Sequence, residues 1–267
     1  MTTPARFRSL HVPGAPLVLP NAWDVTSARL VEAAGAAAVA TTSAGVAWSF
    51  GVPDGGALDR DWAVDVVRRI VTAVDVPVTA DIEDGYADDP DGVADTVEAL
   101  VASGAVGANI EDAWHGGPLP LRPVDDQVSR IRAASIAAGD DLFVNVRIDS
   151  YLREVGDPAS RLSETLTRAA AYVEAGADGI FVPGVVDPAV VEVLVQRIEA
   201  PMNVMVGPGA PSVRVLGDLG VARISLGGAI AMACYGLVSR AASEVLATGT
   251  YESLTGHAPV VDLNAVG

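Results

Sequence analysis

A helix that ends in glycine and is followed by an apolar strand recurs along this sequence and constrains its fold more than any other feature. The stretches VEAAGAAAVATT, LVASGAVGANIED, YVEAGADGIFVP and LGDLGVARISLG all show it. Glycine suits the left-handed backbone position just past a helix end. In TAVDVPVTADI and RIEAPMNVMVG a proline instead stops the helix before the strand. The pattern predicts strands that alternate with helices.

Eight strands are expected, each followed by a helix of roughly ten to eighteen residues. The predicted strands lie near 16–20, 37–42, 77–82, 107–111, 142–147, 179–183, 202–206 and 222–226. Alternation implies parallel strands with right-handed crossovers, and eight repeats close a barrel, so the predicted fold is an α/β (β/α)8 TIM barrel. The alternative, an open doubly wound sheet, would need a Gly-rich dinucleotide loop after the first strand, which LPNAWDVTSARL lacks. With no linker in the chain, we expect one domain over 1–267, with a short C-terminal arm at about 248–267.

Composition excludes several classes of function. The net charge of −17 argues against nucleic acid or an anionic membrane as a partner. All 17 basic residues are arginine, so the lysine of a Schiff-base aldolase or a pyridoxal-phosphate enzyme is missing. The single cysteine, Cys234, lies in an apolar helical stretch that predicts a core position, and it fits a reducing cytoplasm. The N-terminus has no signal-peptide pattern, and the charge-free run at 224–239 is predicted to be too short to span a bilayer.

Polar side chains alternate with apolar ones on three successive predicted strands. The polar set is Thr79, Asp81 and Glu83, then Asn109 and Glu111, then Asn145 and Arg147. Alternate strand residues share a face, so these side chains point to the barrel axis, and function in such barrels lies at the carboxyl ends of the strands. Asp81, Glu83 and Glu111 could converge on one hard cation, Mg²⁺ or Mn²⁺. The alternative is a carboxylate cluster neutralised by Arg147 alone.

Other polar residues near these strand ends have less specific interpretations. Asp84 and Asp112 have the opposite parity and are interpreted as supporting groups or helix caps, and Asp88 and Asp89 as a helix start. His115 follows the fourth strand between Gly-rich and Pro-rich turns, so it is either an acid or base on a lid or an ordinary loop histidine. The other two histidines, at positions 11 and 257, are expected to be structural or solvated.

Four motifs resemble those of the isocitrate lyase/phosphoenolpyruvate mutase superfamily, over the chain from Asn21 to about Gly236. They are NAWDVTSARLVEAAGAAAVATTSAGVAWSFGVPD, VPVTADIEDGY, GANIED and VRID. The resemblance implies a (β/α)8 barrel that usually forms a tetramer by exchanging its last helix. It also implies a magnesium ion that chelates a 2-oxo acid or its enolate.

The resemblance also implies roles for particular residues. The Asp-x-Asp metal motif of the superfamily falls on Asp81 and Glu83, with Glu replacing the second Asp, while Glu111 and Asp54 match two further acids near the metal. Arg147 matches the arginine that grips a substrate carboxylate. The loop that holds the substrate matches Thr42, Ser43, Ala44 and Gly45, and Trp48 either walls the pocket or packs in the core.

The departures from the superfamily pattern restrict the reaction. Its C–C lyases carry a Lys-Lys-Cys-Gly-His type loop after the fourth strand, whereas this chain reads DAWHGGPLPLRPVDDQ, so isocitrate and methylisocitrate lyase activities are not expected. The mutase loop with Lys and Asn is absent too. After the sixth strand, FVPG replaces the lyase glutamate, and Asn203 is out of register with the Asn-x-Thr expected near the seventh.

The sequence therefore predicts a Mg²⁺-dependent lyase that cleaves a C–C bond of a small 2-oxo dicarboxylic acid through a metal-stabilised enolate. Decarboxylation is favoured over retro-aldol cleavage because it needs no base to deprotonate an alcohol. One alternative is a C–P mutase or hydrolase acting on phosphonopyruvate or phosphoenolpyruvate, for which the extra cations are mainly Arg122 and Arg153. Another is a non-catalytic 2-oxo acid binding protein. The apolar last helix, GGAIAMACYGLVSRAASEVL, predicts a homo-oligomer, either a dimer or a tetramer.

Overall fold

Nine parallel strand segments form a nearly closed barrel in the computed structural model, which describes residues 3–255 and 262. The segments are β1 Leu17–Leu19, β2 Asn21–Ala22, β3 Val39–Thr41, β4 Val78–Asp81, β5 Gly107–Glu111, β6 Phe143–Arg147, β7 Gly179–Val182, β8 Met202–Met205 and β9 Arg223–Ser225. From β2 to β9, each strand pairs with the next one in the chain. The predicted TIM barrel is confirmed.

The first barrel strand is split into β1 and β2 at Pro20. β1 pairs only with β9, and β2 pairs only with β3. Proline has no N–H to donate, which interrupts the ladder at this point. The Asn21 side chain bridges the interruption: its Nδ2 donates to the Thr41 carbonyl (2.8 Å), and its Oδ1 accepts from the Leu226 N–H (2.9 Å). The structure therefore has strands at the eight predicted positions, and the first of these strands consists of two segments.

Ten α-helices occur in the described residues, and most follow a strand as predicted. They are α1 Thr3–Ser9, α2 Val25–Ala33, α3 Ser43–Ser49, α4 Arg60–Ala73, α5 Pro90–Ser103, α6 Val124–Ala138, α7 Pro158–Glu174, α8 Pro188–Arg197, α9 Val213–Asp218 and α10 Ala229–Thr248, followed by a 3-10 turn at Glu252–Leu254. α3 and α9 are shorter than expected and α10 is longer. α1, which buries Phe7, was not predicted. Asp89 caps α5 by accepting from the Gly92 N–H, which confirms the predicted helix start.

The hydrophobic core lies between the strands and the surrounding helices. The alternate strand residues that were predicted to face the helices are all buried: Val78, Ala80, Ile82, Ala108, Ile110, Val144, Val146 and Ile148. Burying each large aliphatic side chain contributes about 1.5–3 kcal/mol. This core fixes the register of the strands, so their polar residues point to the barrel axis.

Polar side chains are hydrogen-bonded to one another inside the barrel. Asn145 Nδ2 donates to Asn109 Oδ1 (2.8 Å) and Asn203 Oδ1 (3.2 Å), and Arg223 Nη2 also donates to Asn109 Oδ1 (3.1 Å). Asn203 therefore joins this interior network. His11 is buried and stacks on the Phe143 ring at 4.1 Å between centroids, so the structural interpretation of His11 is confirmed.

The last helix, α10, lies mostly outside the barrel. Met232, Val238 and Leu246 are more than half exposed. Cys234 is also exposed, so its predicted core position is wrong. By length and composition alone, α10 is long and apolar enough to cross a membrane, and one such helix is weak evidence for a span. Residues 256–261 and 263–267 of the predicted arm lie outside the described residues, and position 257 is among them.

Candidate active site

Two acidic side chains at the end of β4 each keep one buried oxygen without a hydrogen-bond donor. Asp81 Oδ2 accepts from the backbone N–H of Ser43 (3.2 Å) and from its Oγ (2.9 Å), whereas Oδ1 has no partner. Glu83 Oε2 accepts from the Gly56 N–H, whereas Oε1 has no partner. Buried polar atoms in proteins are normally hydrogen-bonded. These two free oxygens are therefore the feature of the site that most needs a ligand.

The turn that carries Glu83 has an unusual backbone. Glu83 and Tyr86 have φ angles of 51° and 52°, in the left-handed region. This conformation costs a non-glycine residue roughly 1–2 kcal/mol and is common at functional sites. Arg130 stabilises the turn because its Nη2 donates to the carbonyls of Asp84 (2.6 Å) and Ala87 (2.8 Å). The fold thus stabilises a strained turn that keeps the Glu83 carboxylate inside.

Glu111, at the end of β5, pairs with two basic side chains. Its Oε2 forms an ion pair with Arg147 Nη1 at 2.7 Å, and its Oε1 lies 2.6 Å from His115 Nε2. Glu111 is 3% exposed, and the register of the sheet places it directly opposite Arg147 of β6. The structure therefore brings together Glu111, Arg147 and His115, all three of which were predicted site residues.

Asp149 belongs to the site through its contact with Arg147, although it was not among the predicted site residues. Arg147 donates from Nε to its Oδ1 (2.6 Å) and from Nη2 to its Oδ2 (2.9 Å). The available signal was the VRID motif, in which Asp149 follows Arg147 by two positions and so lies on the same side of the chain.

Asp84 and Asp112, which alternate along the chain with Glu83 and Glu111, support the site through pairs with arginines, and neither caps a helix. Asp84 Oδ2 accepts from Arg122 Nη2 at 2.9 Å. Asp112 Oδ2 accepts from Arg168 Nη1 (3.1 Å) and from the Tyr172 hydroxyl (3.0 Å). Of the two interpretations left open by the sequence, the structure matches the supporting role.

Burial and mutual repulsion perturb the ionisation of the acids. Burial, together with the Glu111 and Asp54 charges, raises the pKa of Asp81 to about 6 despite the opposing effect of Arg147. Burial and the Asp54 charge raise the pKa of Glu83 to about 7. The site thus holds more negative charge than its arginine compensates.

These acids also shift the pKa values of two neighbouring basic groups. The hydrogen bond to Glu111 raises the pKa of His115, which favours a protonated ring. Burial disfavours the charged Arg147, but the Glu111 and Asp149 carboxylates outweigh it and raise the pKa of its guanidinium.

These residues fit a hard cation only in part. Within the part of the chain that the structure describes, no three Asp, Glu, His or Cys side chains are arranged to hold a metal ion. Glu111 is engaged by Arg147 and His115. The free oxygens of Asp81 and Glu83, in a site with excess negative charge, do suit a cation that prefers oxygen ligands. The ligand set Asp81, Glu83, Glu111 and Asp54 stays a prediction.

The segment Thr42–Gly45 is the start of α3 and not a free loop. Thr42 and Ser43 are buried, and Ser43 is committed to Asp81. A Cβ at Gly45 would lie 2.8 Å from the Thr42 side chain, so only glycine fits there. Trp48 packs edge-to-face on Tyr235 of α10, at 6.3 Å between ring centroids. Substrate contacts of this segment and of Trp48 remain predictions.

A cavity of about 610 Å³ lies beside the acids, next to the loop after β5. The loop is closed by a bridge between Ala113 and Leu121, so it forms a compact flap. His115 and Trp114 of the flap line the cavity, and the Arg122 guanidinium lies over the Trp114 ring at 5.3 Å. His115 thus lies between Glu111 and this cavity, and its role as an acid or base on a lid stays a prediction.

Comparison with known proteins assigns the family. A family model described as phosphoenolpyruvate phosphomutase matches residues 7–246. The chain belongs to this family. It is therefore a member of the isocitrate lyase/phosphoenolpyruvate mutase superfamily, as the resemblance indicated, and an enzyme of the lyase or mutase type. The superfamily includes both C–C lyases and phosphonate mutases.

Individual relatives show how much of the chain the family likeness covers. The chain is 40% identical to protein MT2054 of Mycobacterium tuberculosis over 83% of its length and 81% of the relative's. It is 31% identical to 2-methylisocitrate lyase of Escherichia coli, over 73% of its length and 70% of that enzyme's. A provisionally named lyase/mutase from Burkholderia cenocepacia J2315 is 38% identical, with a TM-score of 0.90 and coverage of 98% of this chain and 94% of that one.

Proposed function

We propose that this family member cleaves a C–C bond of a small 2-oxo dicarboxylic acid, by decarboxylation, with Mg²⁺ or Mn²⁺ as its cofactor. The observation that carries the proposal is the pair of free, buried oxygens on Asp81 and Glu83 beside the Arg147–Glu111 ion pair. Unpaired carboxylate oxygens favour the binding of a cation, and the adjacent arginine favours the binding of an anionic ligand.

Asp81 and Glu83 would hold the cation, with Glu111 and Asp54 as the further acids of the site. When bound, such an ion stabilises negative charge that develops on the keto oxygen of a 2-oxo acid. The Glu83 turn is held by Arg130 and Asp81 is held by Ser43, so both carboxylates are oriented before a ligand arrives.

Arg147 supplies the grip on the substrate carboxylate. A guanidinium has five N–H groups; Arg147 donates two of them, from Nε and Nη2, to Asp149, and its Nη1 forms an ion pair with Glu111. The remaining hydrogens on Nη1 and Nη2 are proposed to bind an incoming carboxylate. Because Arg147 stays charged at every physiological pH, this grip does not depend on proton uptake.

The bond changes need one proton donor and no base. In oxaloacetate the C3–C4 bond breaks, CO₂ leaves, and the electron pair stays on the remaining three-carbon enolate. Protonation at C3 then gives pyruvate. His115 Nε2 contacts Glu111, and its raised pKa favours the protonated ring that could give this proton. Retro-aldol cleavage would need a base for an alcohol proton, which a protonated His115 does not offer.

The charges of the site favour carboxylate over phosphonate chemistry. A phosphonate dianion needs cations beyond Arg147. Arg122 is paired with Asp84 and Asp126, and Arg153 is paired with Asp149. A carboxylate that leaves as neutral CO₂ needs no such cation.

The test is a proton NMR time course of oxaloacetate with purified protein and MgCl₂. Because Mg²⁺ alone promotes this reaction, protein-free and EDTA samples set the background. Asp81→Ala removes the proposed ligand, and Asp65→Ala removes an exposed carboxylate that pairs with Arg68 and Arg69 on α4, as a matched control.

The proposal predicts pyruvate formation above background that is lost with EDTA and with Asp81→Ala but kept with Asp65→Ala. Turnover of phosphonopyruvate instead of oxaloacetate would overturn the C–C assignment in favour of C–P chemistry. Mg²⁺-dependent broadening of the oxaloacetate signals without turnover would indicate a binding protein.

We further infer that α10 packs against a second copy of the chain in a homo-oligomer. Ala231 is its only buried residue among those described, whereas Met232, Val238 and Leu246 expose an apolar face. An exposed apolar face of this kind marks an interaction site. Light scattering at micromolar concentration tests this: a stable monomer contradicts it, and binding to neutral vesicles would point to a membrane partner instead. A cytoplasmic location stays a prediction.

A further inference from the structure

We propose that Asp149 is the positioning residue that fixes the Arg147 guanidinium for the substrate carboxylate, and that Asp112 holds Asp149 in place. The inference rests on the proposed function, in which Arg147 binds that carboxylate. Asp149 is fully buried and receives two hydrogen bonds from Arg147, from Nε (2.6 Å) and Nη2 (2.9 Å).

The two bonds determine the orientation of the guanidinium plane. A carboxylate that accepts from two nitrogens of the same guanidinium sets both its position and its tilt, which a single ion pair does not. The ion pair with Glu111 engages Nη1, the guanidinium nitrogen that does not donate to Asp149. Contacts with two carboxylates therefore restrain the Arg147 guanidinium. Preorganisation of this kind lowers the cost of binding.

Charge compensation alone does not explain the arrangement. Arg153 Nε also donates to Asp149 Oδ2, at 3.2 Å, and its side chain is about one-third exposed. Arg153 could therefore neutralise Asp149 without Arg147. The bidentate pairing with Arg147 adds geometry that neutralisation does not require.

Asp149 is held through the backbone by Asp112. The Asp149 N–H donates to Asp112 Oδ1 (2.9 Å), and the Asp112 N–H donates to the Arg147 carbonyl (3.0 Å). Asp112 Oδ2 is in turn held by Arg168 and Tyr172, both on α7. All these atoms are buried, so a continuous set of hydrogen bonds connects α7 to the Arg147 side chain.

The experiment measures two affinities on the same variants. Oxalate, a small dicarboxylate that can take both the cation and Arg147, is titrated by calorimetry in MgCl₂. Mn²⁺ affinity is measured separately by electron paramagnetic resonance. Asp149→Asn keeps the size of the side chain but cannot accept from both nitrogens and Arg153 together. Asp178→Asn is the matched control, because Asp178 pairs with Arg8 at the opposite end of the barrel.

We expect Asp149→Asn to weaken oxalate binding by about 10- to 100-fold, the usual effect of removing a supporting partner. Mn²⁺ affinity should stay within about twofold, because Asp149 bonds to Arg147, Arg153 and Asp112 and to none of the proposed ligands Asp81, Glu83, Glu111 and Asp54. General damage to the fold would weaken both. Unchanged oxalate affinity, or equal losses of oxalate and Mn²⁺, would overturn the proposal.

Two further outcomes are decisive. If Asp149→Asn does not fold, Tyr172→Phe removes a hydroxyl at the far end of the same network. It should weaken oxalate binding in the same direction, and unchanged affinity would overturn the proposal. If the wild-type protein binds no oxalate in Mg²⁺, the proposed function fails and this inference fails with it, whereas oxalate binding that Asp149→Asn leaves intact refutes only the inference.

Discussion

Replacing Asp81 with Asn should make the metal-free protein more stable while abolishing metal binding. Burial and neighbouring acids oppose the ionised carboxylate, whereas a neutral amide of the same size avoids that repulsion. The amide oxygen can still accept from Ser43, and the amide nitrogen can take the place of Oδ1, which has no donor to lose. Function and stability therefore conflict at this position.

The magnitude follows from the pKa of Asp81. Its pKa is raised from 3.8 to about 6, so between these values the folded protein binds the proton more tightly than the unfolded chain does. Stability therefore falls as pH rises through this window, and the full cost, about 3 kcal/mol, is present above it. Asp81→Asn should gain up to about 3 kcal/mol at pH 8 and about half of that at pH 5.

Urea unfolding followed by tryptophan fluorescence measures this gain in EDTA at both pH values. In excess Mg²⁺ the ranking should reverse at pH 8, because the wild-type protein gains binding free energy and the variant does not. A variant that is less stable than wild type in EDTA at pH 8, or a gain that is the same at both pH values, would refute the reasoning.

Three further predictions test other parts of the molecule. Burial and the Arg223 charge lower the pKa of His11 to about 3, so between pH 6.5 and pH 3 the unfolded chain takes up a proton on His11 and the folded protein does not. The destabilisation caused by His11→Phe should therefore shrink by about 2 kcal/mol from pH 8 to pH 5 in urea titrations. A difference in stability that does not depend on pH would contradict this. Arg147→Lys should weaken oxalate binding in Mg²⁺ by about tenfold or more in calorimetry, since a lysine cannot bond in the bidentate mode; equal affinity would exclude the grip. Val238→Asp should shift the oligomer toward monomer in light scattering, whereas Ser239→Asp on the same helix serves as the control for charge alone.

The barrel and the inward polar residues could be predicted because they follow from local rules. Glycine and proline joints mark where helices end, and alternation along a strand decides which side chains face the axis. Asp81 and Glu111 were placed correctly by these rules. The two-segment first strand was not predicted, because whether Pro20 interrupts a ladder depends on neighbouring strands.

The partners of the polar residues could not be predicted in the same way. The parity rule places Asp149 inside, but only the folded chain shows that it takes Arg147 with two bonds. Likewise, the composition of α10 suggests a core helix, yet Cys234 is exposed, and none of the residues that the structure describes covers it. Choices between tertiary partners depend on distances that sequence spacing does not contain.

The Asn21 side chain has a consequence for how the barrel opens. Elsewhere in the barrel each strand is held on both sides by backbone ladders, whereas at Pro20 one amide group makes the connection between β3 and the segment after β9. Local opening should therefore begin at this joint, and amide hydrogens of β2 should exchange with solvent sooner than those of β5 or β6. Asn21 bonds to the Thr41 carbonyl, and Ser43, two residues further on, donates to Asp81. Local opening at this joint should therefore disturb Asp81 before the other acids of the site.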